Sequence, residues 1–486
     1  MTDWINRLTE WFKSNRSWIV AVLCSATFLA LHSFLLLNGR HELLMLPLVG
    51  FLLTLFISKY ETALLSIALL TPFSIDFALG DSMQLSMPSE PLMILCTLIF
   101  LFRVLSGNNY DLRLLKHPVS ILMLCTIGWM FITSLMSVDT WVSLKYTIAR
   151  IWFVTPCFYA CSQVFKDKKR VRQFIWCYAI SLSVVVLITT IKTLGHFHEL
   201  QFLHRVMKPF YNDHTAYGCV IALILPMMGF YAFEKDSTWW KRTLSFVMMI
   251  ILAIGLALSY CRAAWVSLVI ALGLLAIVKF RIKFKWIALA AVLLGGLGLI
   301  YQDEISYRMS KNEQDSSLDL AGQLQSISNV STDASNLERL NRWSCAFRMF
   351  AKEPIMGFGP GTYQFNYASY QLSYMRTIIS TDAGDLGNAH SEYIGPLAEQ
   401  GVLGCLFMMA LFAVTLFTGI KVYHRAKERS IANLALALTV CLSTYYVHGF
   451  FNNFLDTDKL SVPVWAFTAA IVALDVYAEK KTSSEG

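Results

Sequence analysis

The sequence has little from which to build a disulfide framework or a cysteine-based metal site. It contains eleven cysteines in 486 residues, and no two of them have the CxxC spacing of a zinc or redox motif. Nine cysteines lie within apolar segments, Cys261 lies at the edge of one, and only Cys345 falls in a long polar stretch. A single cysteine in a polar stretch cannot form a disulfide by itself. We therefore interpret the cysteines as structural.

Polar sequence is scarce as well. The chain is 56% hydrophobic with a mean hydropathy of +0.53, whereas a soluble domain is about 45–50% apolar. Hydrophobic runs of about 20 residues, long enough to cross a bilayer as a helix, recur along the whole sequence. Because backbone groups inside lipid must find partners within the protein, helices are the expected solution. We predict an all-α polytopic membrane protein with about 12–14 transmembrane helices.

One long region lacks a membrane-spanning segment. Between Tyr301 and Gly401, no run is both long and apolar enough to cross a bilayer. The sequence thus divides into transmembrane helices over 1–301, a large polar loop over 302–401, and further transmembrane helices with a short tail over 402–486. The candidate spans flanking the loop are 18–37, 43–58, 62–79, 91–106, 118–136, 146–164, 173–193, 215–233, 243–260, 263–279, 285–301, 402–420, 431–451 and 461–477.

Lysine and arginine predict the side of the membrane on which the loop lies. Basic residues concentrate in cytoplasmic loops, so we predict cytoplasmic termini and a 302–401 loop outside the cytoplasm. The net charge of +8 then reflects loops that face anionic membrane lipids, and no nucleic acid partner is expected. The basic clusters that fall on one side in this topology are 166–172, 235–242, 279–285, 421–429 and 480–481.

Local patterns divide the loop further. The stretch 309–337 is rich in serine, asparagine and aspartate, as flexible segments are. A tight glycine turn at 357–361 resembles a phosphate loop only weakly, because the Lys-Ser/Thr of that motif is missing. Between Ser335 and Pro354, apolar residues recur every three or four positions and predict an amphipathic helix with an apolar face of Leu337, Leu340, Trp343, Phe347 and Phe350.

His390 is the sharpest single candidate for chemistry. It lies in the segment Asn388-Ala-His-Ser-Glu-Tyr393, just before an expected helix that leads into the next span. A histidine with a near-neutral pKa can remove a proton from a hydroxyl at working pH. Glu392 and Asp385 are close enough in sequence to orient it. The alternative is a histidine that only hydrogen-bonds its own loop.

Arginines supply candidate anion sites. Arg262 lies in a very short break between two spans, where an arginine is costly unless it is paired or faces a polar cavity. A guanidinium there suits bidentate binding of phosphate oxygens, and an arginine that reaches up to lipid head groups is the alternative. Arg339 and Arg342 lie three residues apart on the amphipathic helix and share a face. They either hold an anionic group or belong to a solvated surface.

Two further polar clusters are weaker. Asn212-Asp-His214 precedes a span and either lines the same cavity or caps the helix. Asp456-Thr-Asp458 has the DxD pattern of metal-bound nucleotide-sugar sites. We discount it because the predicted topology places it outside the cytoplasm, where nucleotide sugars are scarce. No external carboxylate cluster demands a metal, and we expect neither a metal nor another cofactor.

The order and spacing of these motifs resemble the bacterial O-antigen ligase and polymerase superfamily, membrane glycosyltransferases that use undecaprenyl-diphosphate-linked glycans. Ser259-Tyr-Cys-Arg-Ala-Ala264 is similar to the family's arginine between small residues at a span junction. The helix 339–343 with the glycine turn 357–361 is similar to its Arg-x3-Trp helix and the turn that follows. Asn388–Tyr393 with Glu399-Gln-Gly-Val-Leu-Gly404 is similar to its histidine motif. The family usually has about twelve spans, fewer than the candidates counted above.

The resemblance implies a reaction at the periplasmic face of the bacterial inner membrane. The donor is a glycan on undecaprenyl diphosphate; an acceptor sugar hydroxyl attacks its anomeric carbon with inversion, and the lipid diphosphate leaves. His390 would be the general base. Arg262 and Arg339 would bind the diphosphate, and Arg342 is a second candidate for that role. The resemblance makes the remaining polar residues candidates for substrate binding: Arg342, Asn388, Glu392, Tyr393 and His214.

The acceptor remains open at this point. A ligase transfers the glycan to lipid A–core, a polymerase transfers it to a second lipid-linked repeat, and a third relative transfers it to a protein hydroxyl; we favour the ligase. A lipid-glycan flippase or other transporter is the alternative from a different class. Transporters typically have two related halves with polar breaks near mid-membrane. Here the polar sequence is concentrated in one external loop, which favours an enzyme.

Overall fold

The computed structural model describes residues 59–78, 84–107, 110–195, 200–283, 285, 334–376, 380 and 387–479. Contacts divide the chain into Met1–Thr62 and Ala63–Gly486, and the site and cavities described below lie in the second unit. Several sequence predictions fall outside the described residues: the spans 18–37 and 43–58, nearly all of 285–301, most of the stretch 309–337, and Asp385.

The described residues are mostly helical, with one two-stranded sheet. Short 3-10 turns lie at Thr71–Phe73, Tyr367–Tyr370 and Ser373–Met375, and a π-helical turn lies at Thr155–Ala160. The remaining elements, in chain order, are α1 (Tyr60–Leu70), β1 (Ile75–Ala78), β2 (Gln84–Met87), α2 (Ser89–Leu105), α3 (Leu112–Leu115), α4 (Pro118–Leu135), α5 (Thr140–Val154), α6 (Cys161–Val164), α7 (Lys168–Thr193), α8 (Leu200–Leu203), α9 (His214–Phe233), α10 (Trp239–Leu258), α11 (Arg262–Lys279), α12 (Ala334–Lys352), α13 (Tyr363–Asn366), α14 (Ile394–Arg425), α15 (Arg429–His448) and α16 (Asp458–Tyr477).

Eight helices of the described part are long and apolar enough to cross a membrane. Each coincides with a span predicted from the sequence, so the prediction of an all-α polytopic membrane protein is confirmed. The agreement arises because apolar length alone decides whether a segment can cross a bilayer. The eight helices are α4, α7, α9, α10, α11, α14, α15 and α16.

The span predicted at 62–79 is wrong as a continuous helix. Helix α1 ends before Pro72, whose ring nitrogen has no N–H for a helical hydrogen bond. The chain then enters strand β1, which pairs antiparallel with β2. Ser86 donates a hydrogen bond to Asp76 across this hairpin at 2.5 Å. The polar residues that interrupt the apolar run therefore belong to a sheet.

The spans predicted at 91–106 and 146–164 occur in altered form. Helix α2 has 17 residues, slightly fewer than a helix usually needs to cross a bilayer. Helix α5 begins earlier than predicted and continues through the π-helical turn into α6. Pro156 lies in this turn, where its missing N–H interrupts the regular hydrogen-bond ladder.

Helices α15 and α16 form the centre of the described bundle. The share of the spanning window that is buried is 83% for each of them, against 28% for α10 and 22% for α11. Helix α15 packs on α9, α11, α14 and α16, and α14 also packs on α4 and α12. The starts of α9, α11, α14 and α16 and the ends of α10 and α15 thus meet at one end of the bundle. We call this the site end.

Helix α12 confirms the predicted amphipathic helix, but a different face of it is buried. Leu340 and Phe347, expected on the apolar face, are 38% and 50% exposed. The buried face instead includes Glu338, Asn341 and Arg342, together with Cys345, Ala346 and Met349. The polar groups can be buried because Arg342 Nε donates to Glu338 Oε1 at 2.8 Å, one turn away. Because the two side chains hydrogen-bond to each other, they can be buried without water as a partner.

Candidate functional site

His390 is presented by a turn that leads into helix α14. Its backbone has φ 47°, in the left-handed region that few side chains other than glycine adopt. The backbone N–H of His390 donates to Asn388 Oδ1 at 3.0 Å, a local bond typical of asparagine in turns. Ser391 Oγ accepts from Ile394 N at 3.3 Å and so satisfies an N–H group at the start of α14.

Arg342 joins helix α12 to this turn. Its Nη1 donates to the carbonyl oxygen of Asn388 at 3.1 Å, and its guanidinium lies over the Tyr367 ring at 5.1 Å. With the bond to Glu338, the side chain has partners on three sides and is only 7% exposed. The predicted substrate-binding residue Arg342 is therefore largely occupied by contacts within the protein.

Burial and neighbouring charge together control the protonation of His390. Burial of the imidazole, followed by the positive charges of Arg342 and Arg339, lowers the pKa of His390 to about 4, and Asp213 and Glu338 oppose this shift. The ring is therefore neutral at neutral pH, and its pKa lies below the near-neutral value that the sequence led us to expect. Among the residues that the structure describes, none donates or accepts a hydrogen bond at the ring.

Arg339 lies within electrostatic range of both His390 and the junction that carries Arg262. It is half-buried and more exposed than Arg342. Its charge acts on His390 and also on the thiol of Cys261. Cys261 immediately precedes Arg262, the first residue of helix α11. The structure thus places Arg262 at the site end, next to a residue that Arg339 reaches electrostatically.

The junction before Arg262 packs tightly against the start of helix α9. Tyr260 has φ 50°, which turns the chain within three residues between α10 and α11. A Cβ at Gly218 of α9 would lie 2.6 Å from the Cβ of Cys261, so only glycine allows this approach. The predicted short break between two spans is confirmed, and close packing fixes its position.

A third group, at the start of helix α9, consists of Asp213 and two histidines. Asp213 is the N-cap of α9, as one alternative reading of the sequence had it. His214 Nδ1 lies 3.1 Å from Asp213 Oδ1, and the rings of His214 and His204 stack with centroids 4.1 Å apart. Burial opposes the charge of Asp213, but hydrogen bonds from His214 and Thr215 outweigh it and hold its pKa below its usual range. The Asp213 charge also acts on His390, so this group lies within electrostatic range of the His390 turn.

Glu392 links the histidine segment to the turn between helices α15 and α16. Its side chain is 3% exposed. Oε1 accepts from the Tyr445 hydroxyl at 2.5 Å and from the backbone N–H groups of Phe454 and Leu455 at 2.8 and 2.9 Å. The backbone N–H of Glu392 donates to Gly449 O at 2.7 Å. In the described part of the chain, Glu392 makes no hydrogen bond with the ring of His390, which it was expected to orient.

Tyr393 and the glycine turn 357–361 also make contacts within the protein, as Glu392 does. The Tyr393 hydroxyl donates to Tyr446 O at 2.7 Å. In the turn, Gly359 N donates to Glu399 O at 2.7 Å, and a Cβ at Gly359 would lie 1.9 Å from Ser137 Oγ. The backbone N–H groups that a phosphate loop would offer are therefore used to hold the start of α14.

The structure adds residues that the sequence did not single out. His448 at the end of α15 is fully buried, and its Nε2 lies 3.1 Å from the side-chain nitrogen of Asn452. Arg339 and Asp213 lie within electrostatic range of His448. In the sequence, His448 is indicated only by its position at the end of an apolar run. Within the described ranges, no group of three or more metal-ligating side chains occurs.

Comparison with known families gives a match over the part of the chain that carries most of these residues. The family model described as O-antigen ligase matches residues 247–409, about a third of the chain. The match includes Arg262, Arg339, Arg342 and the segment 388–393, while His214 lies outside it. A comparison with curated proteins finds no match. The match supports the resemblance to the O-antigen ligase and polymerase superfamily over residues 247–409, and the eight spanning helices indicate a multi-pass membrane protein.

Proposed function

We propose that the chain transfers a glycan from undecaprenyl diphosphate to a sugar hydroxyl of lipid A–core, at the periplasmic face of a bacterial inner membrane. One observation supports this most directly: a neutral His390 lies within the electrostatic field of Arg339 and Arg342 at one end of a membrane bundle. A site of this kind combines a proton acceptor with positive charge. Transfer from a lipid diphosphate to a hydroxyl needs both.

The proposed reaction is a single displacement. The acceptor oxygen forms a bond to the anomeric carbon as the bond from that carbon to the diphosphate oxygen breaks. His390 takes the proton of the acceptor hydroxyl, and the configuration at the anomeric carbon inverts. The lipid diphosphate leaves with its extra negative charge, which Arg339 and Arg262 stabilise. Cationic side chains thereby do the leaving-group work without a metal.

The two arginines of helix α12 receive different roles in this proposal. Arg342 is buried and bonded to Glu338 and to Asn388 O, so its guanidinium holds the His390 turn in place. Arg339 is more exposed, and its charge reaches both His390 and the Arg262 junction. We assign the diphosphate to Arg339 and Arg262, and the positioning of the turn to Arg342.

Arg339→Gln and Arg342→Gln should therefore fail in different ways. We expect Arg339→Gln to lower kcat about 10²–10³-fold, as loss of one preorganised transition-state donor does, with a smaller loss of Tm than Arg342→Gln because Arg339 is more exposed. Arg342→Gln should lower Tm because the Glu338 carboxylate and the Asn388 carbonyl each lose a buried guanidinium partner. Turnover and thermal melting of the detergent-solubilised protein separate the two. Lys352→Gln on the same helix, exposed in the structure, is the matched control.

Of the four remaining predicted substrate-binding residues, three become supports in this proposal and His214 keeps a binding role. Asn388 shapes the turn through its side chain and its carbonyl. Glu392 and Tyr393 anchor the segment to helix α15. His214 keeps Asp213 ionised next to the site. We propose that Asp213 and His214 contact the acceptor or donor sugar, whose hydroxyls match paired hydrogen-bonding groups.

Reconstitution with a lipid-linked glycan and two acceptors tests the function. The full chain in liposomes receives undecaprenyl-diphosphate-linked repeats with lipid A–core, or with a second lipid-linked repeat alone. A ligase gives one glycan per lipid A–core, and a polymerase gives a ladder of lengthening lipid-linked products. Movement of the donor across the bilayer without its consumption would contradict both and support a transporter. Labelling of engineered cysteines from either side of the membrane tests the cytoplasmic termini.

A further inference from the structure

A large cavity lies at the end of the bundle opposite the site end. Its volume is about 1110 Å³, and it is bounded by helices α9, α10, α11 and α15. Leu225, Met249, Leu268 and Leu272 line its inner part, so the wall is apolar. A cavity of this size and lining is typical of a ligand site for an apolar molecule. It uses none of the residues proposed for glycan transfer.

The mouth of the cavity is basic. Lys235, Lys279 and Arg429 line the cavity itself. Arg429 also lines an adjoining pocket of about 320 Å³, together with Arg281 and Lys427. Within the described ranges, none of these five side chains forms an ion pair with an acidic residue. They present positive charge at the point where the apolar wall ends.

Acidic residues do not cancel this charge. Glu234 and Asp236 are the acidic residues of the two linings. Both carboxylate oxygens of Glu234 accept hydrogen bonds from Arg172, at 2.6 and 2.7 Å, so its charge is already paired. Only Asp236 opposes the five basic groups. An anionic ligand is therefore favoured over a zwitterionic one.

Exposed aromatic rings place the mouth at the level of lipid head groups. Phe233 and Phe280 line the cavity and are 68% and 72% exposed. Trp239 and Trp240, at the start of α10, are also exposed and stack on each other. Aromatic rings with neighbouring basic residues are typical of a membrane–water interface. The cavity thus opens where a phospholipid has its phosphate, and its apolar part runs inward where the acyl chains lie.

We infer that this cavity binds an anionic glycerophospholipid of the surrounding membrane, with an acyl chain between α9, α10 and α11 and the phosphate at Lys279, Arg281 and Arg429. The basic mouth matches the phosphate of such a lipid, and the apolar wall matches its acyl chain. A free phosphate would not use the apolar wall, and a zwitterionic lipid would leave the excess positive charge unmatched.

Native mass spectrometry of the full-length chain tests the inference. The detergent-solubilised protein is titrated with phosphatidylglycerol or with phosphatidylcholine, and we expect it to retain the first and not the second. Lys279→Gln and Arg429→Gln should each weaken retention about fivefold, because a juxtamembrane basic residue contributes about 1 kcal/mol toward anionic lipid. Lys241→Gln, an exposed basic residue at the same end that lines neither pocket, should have no effect.

A second variant tests the apolar part. Ala253→Trp places a large ring in the cavity and leaves the basic mouth unchanged, so it should abolish retention of phosphatidylglycerol. Equal retention of the two lipids, or a Lys279→Gln/Arg429→Gln double variant that binds like the unaltered chain, would overturn the inference. Displacement of phosphatidylglycerol by a lower concentration of undecaprenyl phosphate would also overturn it, since the cavity would then bind a polyprenyl lipid.

Discussion

Replacing His390 with asparagine should reduce glycan transfer by about 10²–10⁴-fold, the usual contribution of a positioned general base. Asparagine is chosen because it tolerates the left-handed backbone found at this position (φ 47°). Only the imidazole is then lost, and the turn remains. Because no described residue is hydrogen-bonded to the ring, Tm should stay close to that of the unaltered protein. Initial rates with saturating donor and acceptor give the comparison.

His424→Asn is the matched control, since His424 is exposed and lies at the opposite end of the bundle. It should transfer glycan at the unaltered rate. Turnover by His390→Asn within a few-fold of the unaltered chain would remove His390 from the reaction. A large loss of Tm in the same variant would instead identify His390 as a structural residue.

The pH dependence gives a second test of His390. In the free protein the pKa of His390 is lowered to about 4. The value of kcat/KM for the donor should therefore fall only as the pH drops through about 4. A bound diphosphate brings negative charge next to Arg339 and Arg342 and offsets their effect, so the pKa of His390 should rise in the donor complex. The acid limb of kcat should therefore lie at a higher pH than that of kcat/KM. Coinciding limbs would contradict this coupling.

The features that the sequence predicted correctly depend on local pattern. The spanning helices follow from apolar length, and helix α12 follows from three- and four-residue spacing between Ser335 and Pro354. The place of His390 follows from its position between a polar loop and an apolar run. Each of these properties is contained in a window of neighbouring residues, so no knowledge of the fold was needed.

The features that the sequence did not predict depend on distant partners. Arg339 and Arg342 look equivalent in sequence. The structure distinguishes them through partners such as the Asn388 carbonyl, 46 positions away along the chain, which helps to hold Arg342 in a buried position while Arg339 is more exposed. Glu392 was expected near His390 because it is two residues away. Its carboxylate instead accepts hydrogen bonds from Phe454 and Leu455, more than 60 positions away.

The predicted span at 62–79 failed for a local reason, since the helix ends before Pro72.

Substitution of Glu392 is the second change for which we expect a large effect, on folding as well as on activity. All three hydrogen bonds to its carboxylate go to the single oxygen Oε1, and the side chain is 3% exposed. Alanine at this position would remove the acceptor of the Tyr445 hydroxyl and of the Leu455 N–H in a buried region, and would leave the Phe454 N–H only its 3.3 Å bond to the Tyr445 hydroxyl oxygen. Each such loss costs about 1–3 kcal/mol. We expect Glu392→Ala to lower Tm strongly and to leave little folded, active protein.

Glu392→Gln separates this structural role from a catalytic one. The glutamine carbonyl oxygen can occupy the position of Oε1 and accept the same three hydrogen bonds, so Tm and turnover should stay near those of the unaltered chain, with a loss of about 1 kcal/mol for the missing charge. Glu353→Ala, an exposed glutamate beyond the end of α12, is the control that should change neither. If Glu392 instead oriented His390 by its charge or moved a proton, glutamine would be as inactive as alanine while Tm was retained. Melting and turnover of the three variants therefore decide whether the His390 segment is held in place by packing to α15 and α16 or is assisted by a second catalytic carboxylate.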